Sequence, residues 1–233
     1  MTYVMADIHG QYDKYIKMLE KINFTDDDEL YVIGDVVDRG EHPVKLLYDM
    51  SMRSNVFPIL GNHDYLAAAL LSKLSGVITE DNFGKMLDAE TTKLLTDWIM
   101  DGGVSTLTEF KALSPEDREG ILDYLLEFEP YMELTVGGKD YVMVHAGINN
   151  FSPEKDMSEY DVDDLIYDTV DYTKPYFKDK TLVTGHVPTS EISPEYEGKI
   201  YIANGHIAID CGAGYGLPLG CIRLDDMAEF YVD

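Results

Sequence analysis

Five apolar runs of strand length, each halted by a polar cluster, constrain this chain more than any other feature. They are Tyr3–Ala6 ahead of Asp7, Leu30–Ile33 ahead of Gly34, Val56–Leu60 ahead of Gly61, Tyr141–Val144 ahead of His145, and Thr181–Thr184 ahead of Gly185. Runs of about four to six residues, rich in β-branched and aromatic types and stopped by glycine, predict buried strands. Between the first three runs the period changes. Tyr12, Tyr15, Ile16, Leu19 and Ile22 recur at three- and four-residue spacing and predict a helix over 12–22. Pro43 predicts a second helix start, running to about Met52, because proline fits the first helical turn. Strand, loop and helix in alternation specify the α/β class, with sites expected at strand ends.

Residues 65–135 break this rhythm and read as a helical insertion between the third and fourth runs. Within it, Ser114-Pro115-Glu116-Asp117 carries a capping serine, a proline at the first position and acids in the first turn. Gly102-Gly103 separates that helix from an earlier one containing Trp98, which is expected to be core of the insertion. After Ile200 the pattern returns to strands, with glycine-rich turns at 212–216. At 233 residues the chain is expected to form a single domain, 1–233, carrying this insertion.

Charge narrows the partners. Forty-four acidic against 18 basic side chains leave a net charge of −26, which would repel a nucleic-acid backbone or an anionic membrane, so neither is expected as a partner. The longest apolar run, Tyr65–Leu71, is far short of the ~20 residues that span a bilayer, and no secretory leader is visible after Met1. Two cysteines, Cys211 and Cys221, make no disulfide framework; they are expected to be buried and suit a cytoplasmic location.

The polar clusters themselves carry the chemistry. Asp7-Ile8-His9-Gly10, Gly34-Asp35-Val36-Val37-Asp38-Arg39-Gly40, Gly61-Asn62-His63-Asp64, His145-Ala146-Gly147 and Gly185-His186 each follow one of the five runs. Singly, each reads equally well as a turn, a cap or a buried histidine. Together they gather Asp, His and Asn ligands without thiolates, a donor set suited to Mn²⁺, Fe or Zn²⁺. Two such ions about 3.5–4 Å apart would clamp a phosphate ester and acidify water. They and Arg39 would reverse the repulsive field of the chain at the site.

In this order the motifs resemble the phosphoprotein phosphatase family of calcineurin-like metallophosphoesterases, above all its compact bacterial and phage members. The likeness spans residues 7–186, and Ile209-Asp210-Cys211-Gly212-Ala213 resembles the family's strand near the C-terminus. The resemblance implies a layered β-sandwich core flanked by helices. It implies that Asp7, His9 and Asp35 hold one divalent ion, and that Asp35, Asn62, His145 and His186 hold a second, with Mn²⁺ the first choice. It makes His63 the general acid, Asp38 its orienting partner, and Arg39 with Asn62 the holders of phosphate oxygens. The implied activity is hydrolysis of phosphoserine and phosphothreonine, or phosphotyrosine, on proteins. The alternative is a dinucleoside polyphosphate hydrolase of the diadenosine tetraphosphate type, and a non-catalytic phosphate-binding module ranks third.

Two departures stand out. The family's second arginine is missing from Leu165-Ile166-Tyr167-Asp168-Thr169; Arg53 and Arg118 fall in expected helices and Arg223 in a late strand, so none is an obvious replacement, and Lys174 is a weak one. The third motif ends in Asp64, as in bacterial members and dinucleoside tetraphosphatases, where eukaryotic protein phosphatases carry glutamate.

Overall fold

Side chains that alternate between two apolar clusters along the strands dictate the layers. The computed structural model describes residues 1–75 and 88–233, so residues 76–87 of the expected helical insertion lie outside the described residues. In β1 (Thr2–Ala6), Tyr3 and Met5 face one apolar cluster while Val4 and Ala6 face another. In β2 (Glu29–Ile33), Leu30 and Val32 take the first cluster and Ile33 the second. A strand covered on both faces reads as an unbroken apolar run, which is why these segments stand out in the sequence.

Two five-stranded sheets result. The first has the order β10-β9-β1-β2-β3, with β3 (Val56–Ile59), β9 (Leu219–Arg223) and β10 (Ala228–Val232). Strands β1, β2 and β3 run parallel, and β9 pairs antiparallel to β1. The second has the order β4-β5-β6-β8-β7, with β4 (Tyr131–Val136), β5 (Lys139–Val144), β6 (Lys180–Thr184), β7 (Tyr201–Ala203) and β8 (His206–Ala208). Here β5, β6 and β8 are parallel. The two sheets face each other through Val4, Ile33, Ile59, Met143, Val183 and Ile222.

Helices cover the outer face of the first sheet. They include α1 (Tyr12–Ile22), α2 (Pro43–Ser51) and α3 (Asn62–Ser75), whose buried faces join the cluster of Tyr15, Met18, Leu46, Leu47, Leu70 and Leu71. The segment after α3 supplies α4 (Ala89–Trp98), a kinked turn (Ile99–Gly103) with Gly102 at φ +107, α5 (Val104–Ala112) and α6 (Pro115–Leu126). Ser114 caps α6 as its sequence signature predicts, its side chain accepting from the Asp117 amide at 3.1 Å. The expected insertion is too long at its C-terminal end. Residues 131–135 belong to β4, whose alternation of half-buried and exposed side chains hides a strand on the edge of its sheet.

Parallel strands place their C-terminal ends together, and the polar clusters sit there as in other α/β folds. Asp7 follows β1, Asp35 follows β2, Asn62 and His63 open the helix after β3, and His145 and His186 follow β5 and β6. Cys211 and Cys221 are free and buried. Among the described residues, no helix is long and apolar enough to cross a membrane.

Candidate active site

Backbone strain marks the site before any side chain is considered. Ten described non-glycine residues have positive φ, and six of them are Asp7, His9, Asp35, Asp38, Arg39 and His186. Such conformations disfavour residues with a Cβ and persist where the surroundings over-determine them, typically at functional sites. Glycine lets the loops approach closely. A Cβ on Gly34, itself at φ +64, would collide with the His145 ring, and one on Gly185 would collide with the Asp7 carboxylate.

Asp35 is central. Its Oδ2 lies 3.6 Å from His9 Nε2 and its Oδ1 3.4 Å from His145 Nε2, so the two oxygens face two imidazoles. Oδ1 also accepts the His63 amide at 3.0 Å. Burial opposes its ionisation, but His145, His9 and His63 hold the Asp35 carboxyl well below the usual range. Burial likewise opposes charge on His145, and Asp35 overcomes it, raising that ring's pKa.

Among the described residues, two groups have ligand atoms close enough for one ion each: His9, Asp35 and His63, and Asp35, His145 and His186. The ring orientations fit. His9 Nδ1 donates to Val37 O at 2.9 Å and His145 Nδ1 donates to Ile33 O at 3.3 Å, which turns each Nε2 toward Asp35. Burial pushes His9 down to about 3 and His186 down to about 4, so both rings are neutral and able to ligate at neutral pH. Asn62 Oδ1 lies 3.0 Å from His145 Nε2. The Asp7 carboxylate instead faces the His186 amide, which donates to both its oxygens at 3.0 Å.

Negative charge is in excess here. Burial, followed by repulsion from Asp210 and Asp35, raises Asp7 well above the carboxylate range, and burial raises Asp210 to about 6. Arg39 is the one arginine in the cluster: Arg53 pairs with Asp49, Arg118 donates to the Phe110 carbonyl, and Arg223 pairs with Asp226. Buried carboxylates beside a single guanidinium, with neutral imidazoles turned inward, are a donor set that divalent cations would satisfy.

The side around His63 is built differently. His63 Nδ1 lies 2.7 Å from Asp38 Oδ2. Trp98 Nε1 donates to the same oxygen at 2.7 Å, and the Thr106 hydroxyl donates to Oδ1 at 2.6 Å while accepting the Asp38 amide. Burial opposes protonation of His63, yet the bond to Asp38 and the charge of Asp35 hold its pKa above the ordinary value. Its Nε2 is 3.0 Å from Arg39 Nη2 and 3.4 Å from Asp101 Oδ2, so the protonated ring can donate to Asp101 and the neutral ring can accept from Arg39. Arg39 Nη1 donates to His9 Nε2 at 2.9 Å, and Tyr215 lies under the guanidinium at 4.7 Å.

Trp98 therefore does more than fill the core of the helical segment. It is buried, as expected, but its indole N–H is spent on Asp38. Thr106 and Asp210 are further site residues to which sequence reasoning assigned no role. A buried indole needs an acceptor, which was the available signal, but only the fold names the acceptor. Asp64 accepts the Val36, Val37 and Gly61 amides at 2.9–3.2 Å and pins the loops after β2 and β3 together. Burial and Asp35 push it up to about 7. Lys174 pairs with Asp171 at 3.1 Å and does not take the missing arginine's place among these groups.

The model of the calcineurin-like phosphoesterase family matches residues 2–210. The chain belongs to the calcineurin-like phosphoesterases. Members are hydrolases, and the family implies two divalent ions and a phosphate-ester substrate. Two curated relatives are named symmetrical bis(5′-nucleosyl)-tetraphosphatase. One, from Shewanella loihica, is 39% identical over 100 residues, and one, from Wigglesworthia glossinidia brevipalpis, is 33% identical over 99. Each match covers 42% of this chain and 36% of the relative, so it spans about a third of the relatives' length. Among solved structures, a candidate diadenosine tetraphosphatase superposes with a TM-score of 0.65 at 17% identity, covering 99% of this chain and 92% of that one. A Saccharomyces cerevisiae protein serine/threonine phosphatase gives 0.58 at 14%, covering 99% and 78%. These structural likenesses concern the fold. The protein serine/threonine phosphatase expected from the motifs does not stand, because the curated relatives carry the tetraphosphatase name. The physical reason is that ligands for metal-assisted attack on phosphorus would serve both activities alike, so such motifs do not distinguish their leaving groups.

Proposed function

We propose that this calcineurin-like phosphoesterase hydrolyses dinucleoside polyphosphates of the tetraphosphate type, adding water across the central phosphoanhydride to release two nucleoside diphosphates. The sequence similarity to symmetrical bis(5′-nucleosyl)-tetraphosphatases carries this substrate class. Asp7, His9 and Asp35 would hold one divalent ion, and Asp35, Asn62, His145 and His186 the other, with Mn²⁺ the first choice over Fe or Zn²⁺. The two outward-facing oxygens of Asp35 support its bridging role. Such ions supply Lewis-acid charge and acidify water at neutral pH.

The chain's own residues do the rest. The Arg39 fork points between His9 and His63, where it can grip two phosphate oxygens with a shape that an ammonium lacks. Asn62 supports the same grip. His63, protonated with the help of Asp38, delivers a proton to the leaving oxygen. Asp38 is held by Trp98 and Thr106, so it keeps the ring in one tautomer and one orientation. A departing nucleoside diphosphate is a better leaving group than an alkoxide, so the reaction leans less on this proton than monoester hydrolysis does.

The experiment reloads metal-stripped protein with Mn²⁺ and offers diadenosine tetraphosphate and phosphoserine peptides side by side. The expected result is ADP as the sole nucleotide product, with the peptides nearly inert. Faster phosphate release from the peptides, or ATP with AMP from the dinucleotide, would overturn the reading.

A further inference from the structure

Along the segment that follows His145 in the chain the fold leaves a cavity of about 400 Å³, within the ~300–1,000 Å³ of small-molecule sites. One wall is polar, formed by Asn149, Asn150, Asp168 and Thr169, and the other is aromatic, formed by Phe151 and Tyr176. The two rings stack at 4.9 Å with 28° between their planes, a flat wall held further by Phe177 against the edge of Phe151. The side chains of Asn149, Asn150, Asp168 and Thr169 hydrogen-bond to none of the described residues. Uncommitted polar groups converging on a concave surface are the ordinary mark of a ligand site.

The cavity is close to the chemistry. Asn149 lies four residues after His145, at most ~14 Å of chain. That turn is pinned, since the Ala146 amide donates to Leu165 O at 2.9 Å and the Asn149 amide to Asp164 O at 2.8 Å. Charge selects the ligand. Lys174, also on the rim, is already paired with Asp171, which leaves Asp168 in excess and makes the cavity a poor place for a phosphate. Amides that both donate and accept, a carboxylate for hydroxyl or amino groups, and an aromatic wall suit an uncharged nucleoside.

We infer that this cavity binds the base and ribose of one nucleoside while its phosphates reach the centre at Asp35. The inference rests on the dinucleoside polyphosphate reading and adds the residues that select that substrate. It also accounts for Thr169, where the related family has arginine: a short side chain there leaves room for the nucleoside.

Thr169 is exposed, so Thr169→Trp fills the cavity without touching the core. Asn150 has φ +51, so Asn150→Gly removes the amide without straining the backbone. The readout is kcat/KM for diadenosine tetraphosphate divided by kcat/KM for p-nitrophenyl phosphate, with calorimetric binding of ADP and of pyrophosphate to the Mn²⁺-loaded full chain. Both variants should lower the ratio, Thr169→Trp by about tenfold or more, the scale of one or two lost hydrogen bonds. Wild-type protein should bind ADP more tightly than pyrophosphate, and Thr169→Trp should erase the difference. If wild type cleaves the dinucleotide but neither variant changes the ratio, the cavity is not the nucleoside site and the hydrolase reading survives. If wild type does not cleave it, that reading fails, and the binding comparison alone decides: equal binding of ADP and pyrophosphate overturns the cavity's role.

Discussion

On one side of the cleft Asp38, His63 and Arg39 are clamped by residues far along the chain. Trp98 and Thr106 hold Asp38 from 60 and 68 positions away, and the Gly102 carbonyl accepts the Arg39 amide at 3.0 Å. On the other side His145 and His186 rest on the ends of β5 and β6, with the Ile33 carbonyl and the Asp7 carboxylate as their supports. Beyond them the rim carries polar side chains with no partner among the described residues. The contrast separates two demands. On the proposed reading, proton transfer needs one ring orientation, which the over-determined side supplies, and substrate selection needs free donors and acceptors, which the open side supplies.

The largest effect should come from the residue both sides share. Asp35→Asn should reduce bound metal from two ions per chain to fewer than one and abolish turnover, read by metal analysis after dialysis; two retained ions would show that the sides do not meet at Asp35. Next, His63→Asn should keep its metals but lose ~10²–10⁴-fold in turnover of alkyl phosphate esters. The loss on the dinucleotide should be smaller because its leaving group needs less protonation; equal losses would remove the ring as proton donor.

A finer test targets the clamp. Trp98→Phe keeps the ring bulk and deletes one hydrogen bond to a carboxylate, worth ~1.5–3 kcal/mol, so turnover should fall about tenfold with metal content unchanged. Unchanged turnover would mean that Thr106 alone holds Asp38. The smallest effect is a pH dependence. Burial and neighbouring carboxylates raise Asp7, and Asp35 raises His145, so ions binding there must displace protons. The gain in Tm on adding Mn²⁺ should therefore be larger at about pH 8 than at about pH 5.5. An equal gain at both would argue that these two groups do not ligate.

Much of this was legible in the chain itself. The five runs are strands within one or two residues, since segments covered on both faces must be apolar throughout. Strand β4 escaped because an edge strand with exposed positions carries a weaker pattern. The fold brings the residues named from the motifs together at the strand ends, but Asp7 turns to the His186 amide, and the groups at ligand distance are His9, Asp35 and His63, and Asp35, His145 and His186. Aspartate, asparagine and histidine tolerate positive φ better than most residues, but nothing local reveals that six site residues share that strain.

By itself, then, the order of polar clusters after apolar runs determined the class of fold and the resemblance to the metallophosphoesterases. These follow from short-range patterns, because strand length, period and the residues that end a strand are written in consecutive positions. The tertiary structure alone decided that Trp98 and Thr106 hold Asp38, that Asp210 crowds Asp7, and that Thr169 borders the same cavity as Asn149 and Phe151. Contacts between residues dozens of positions apart depend on how layers pack, and the pattern of a single segment carries no record of its distant partner.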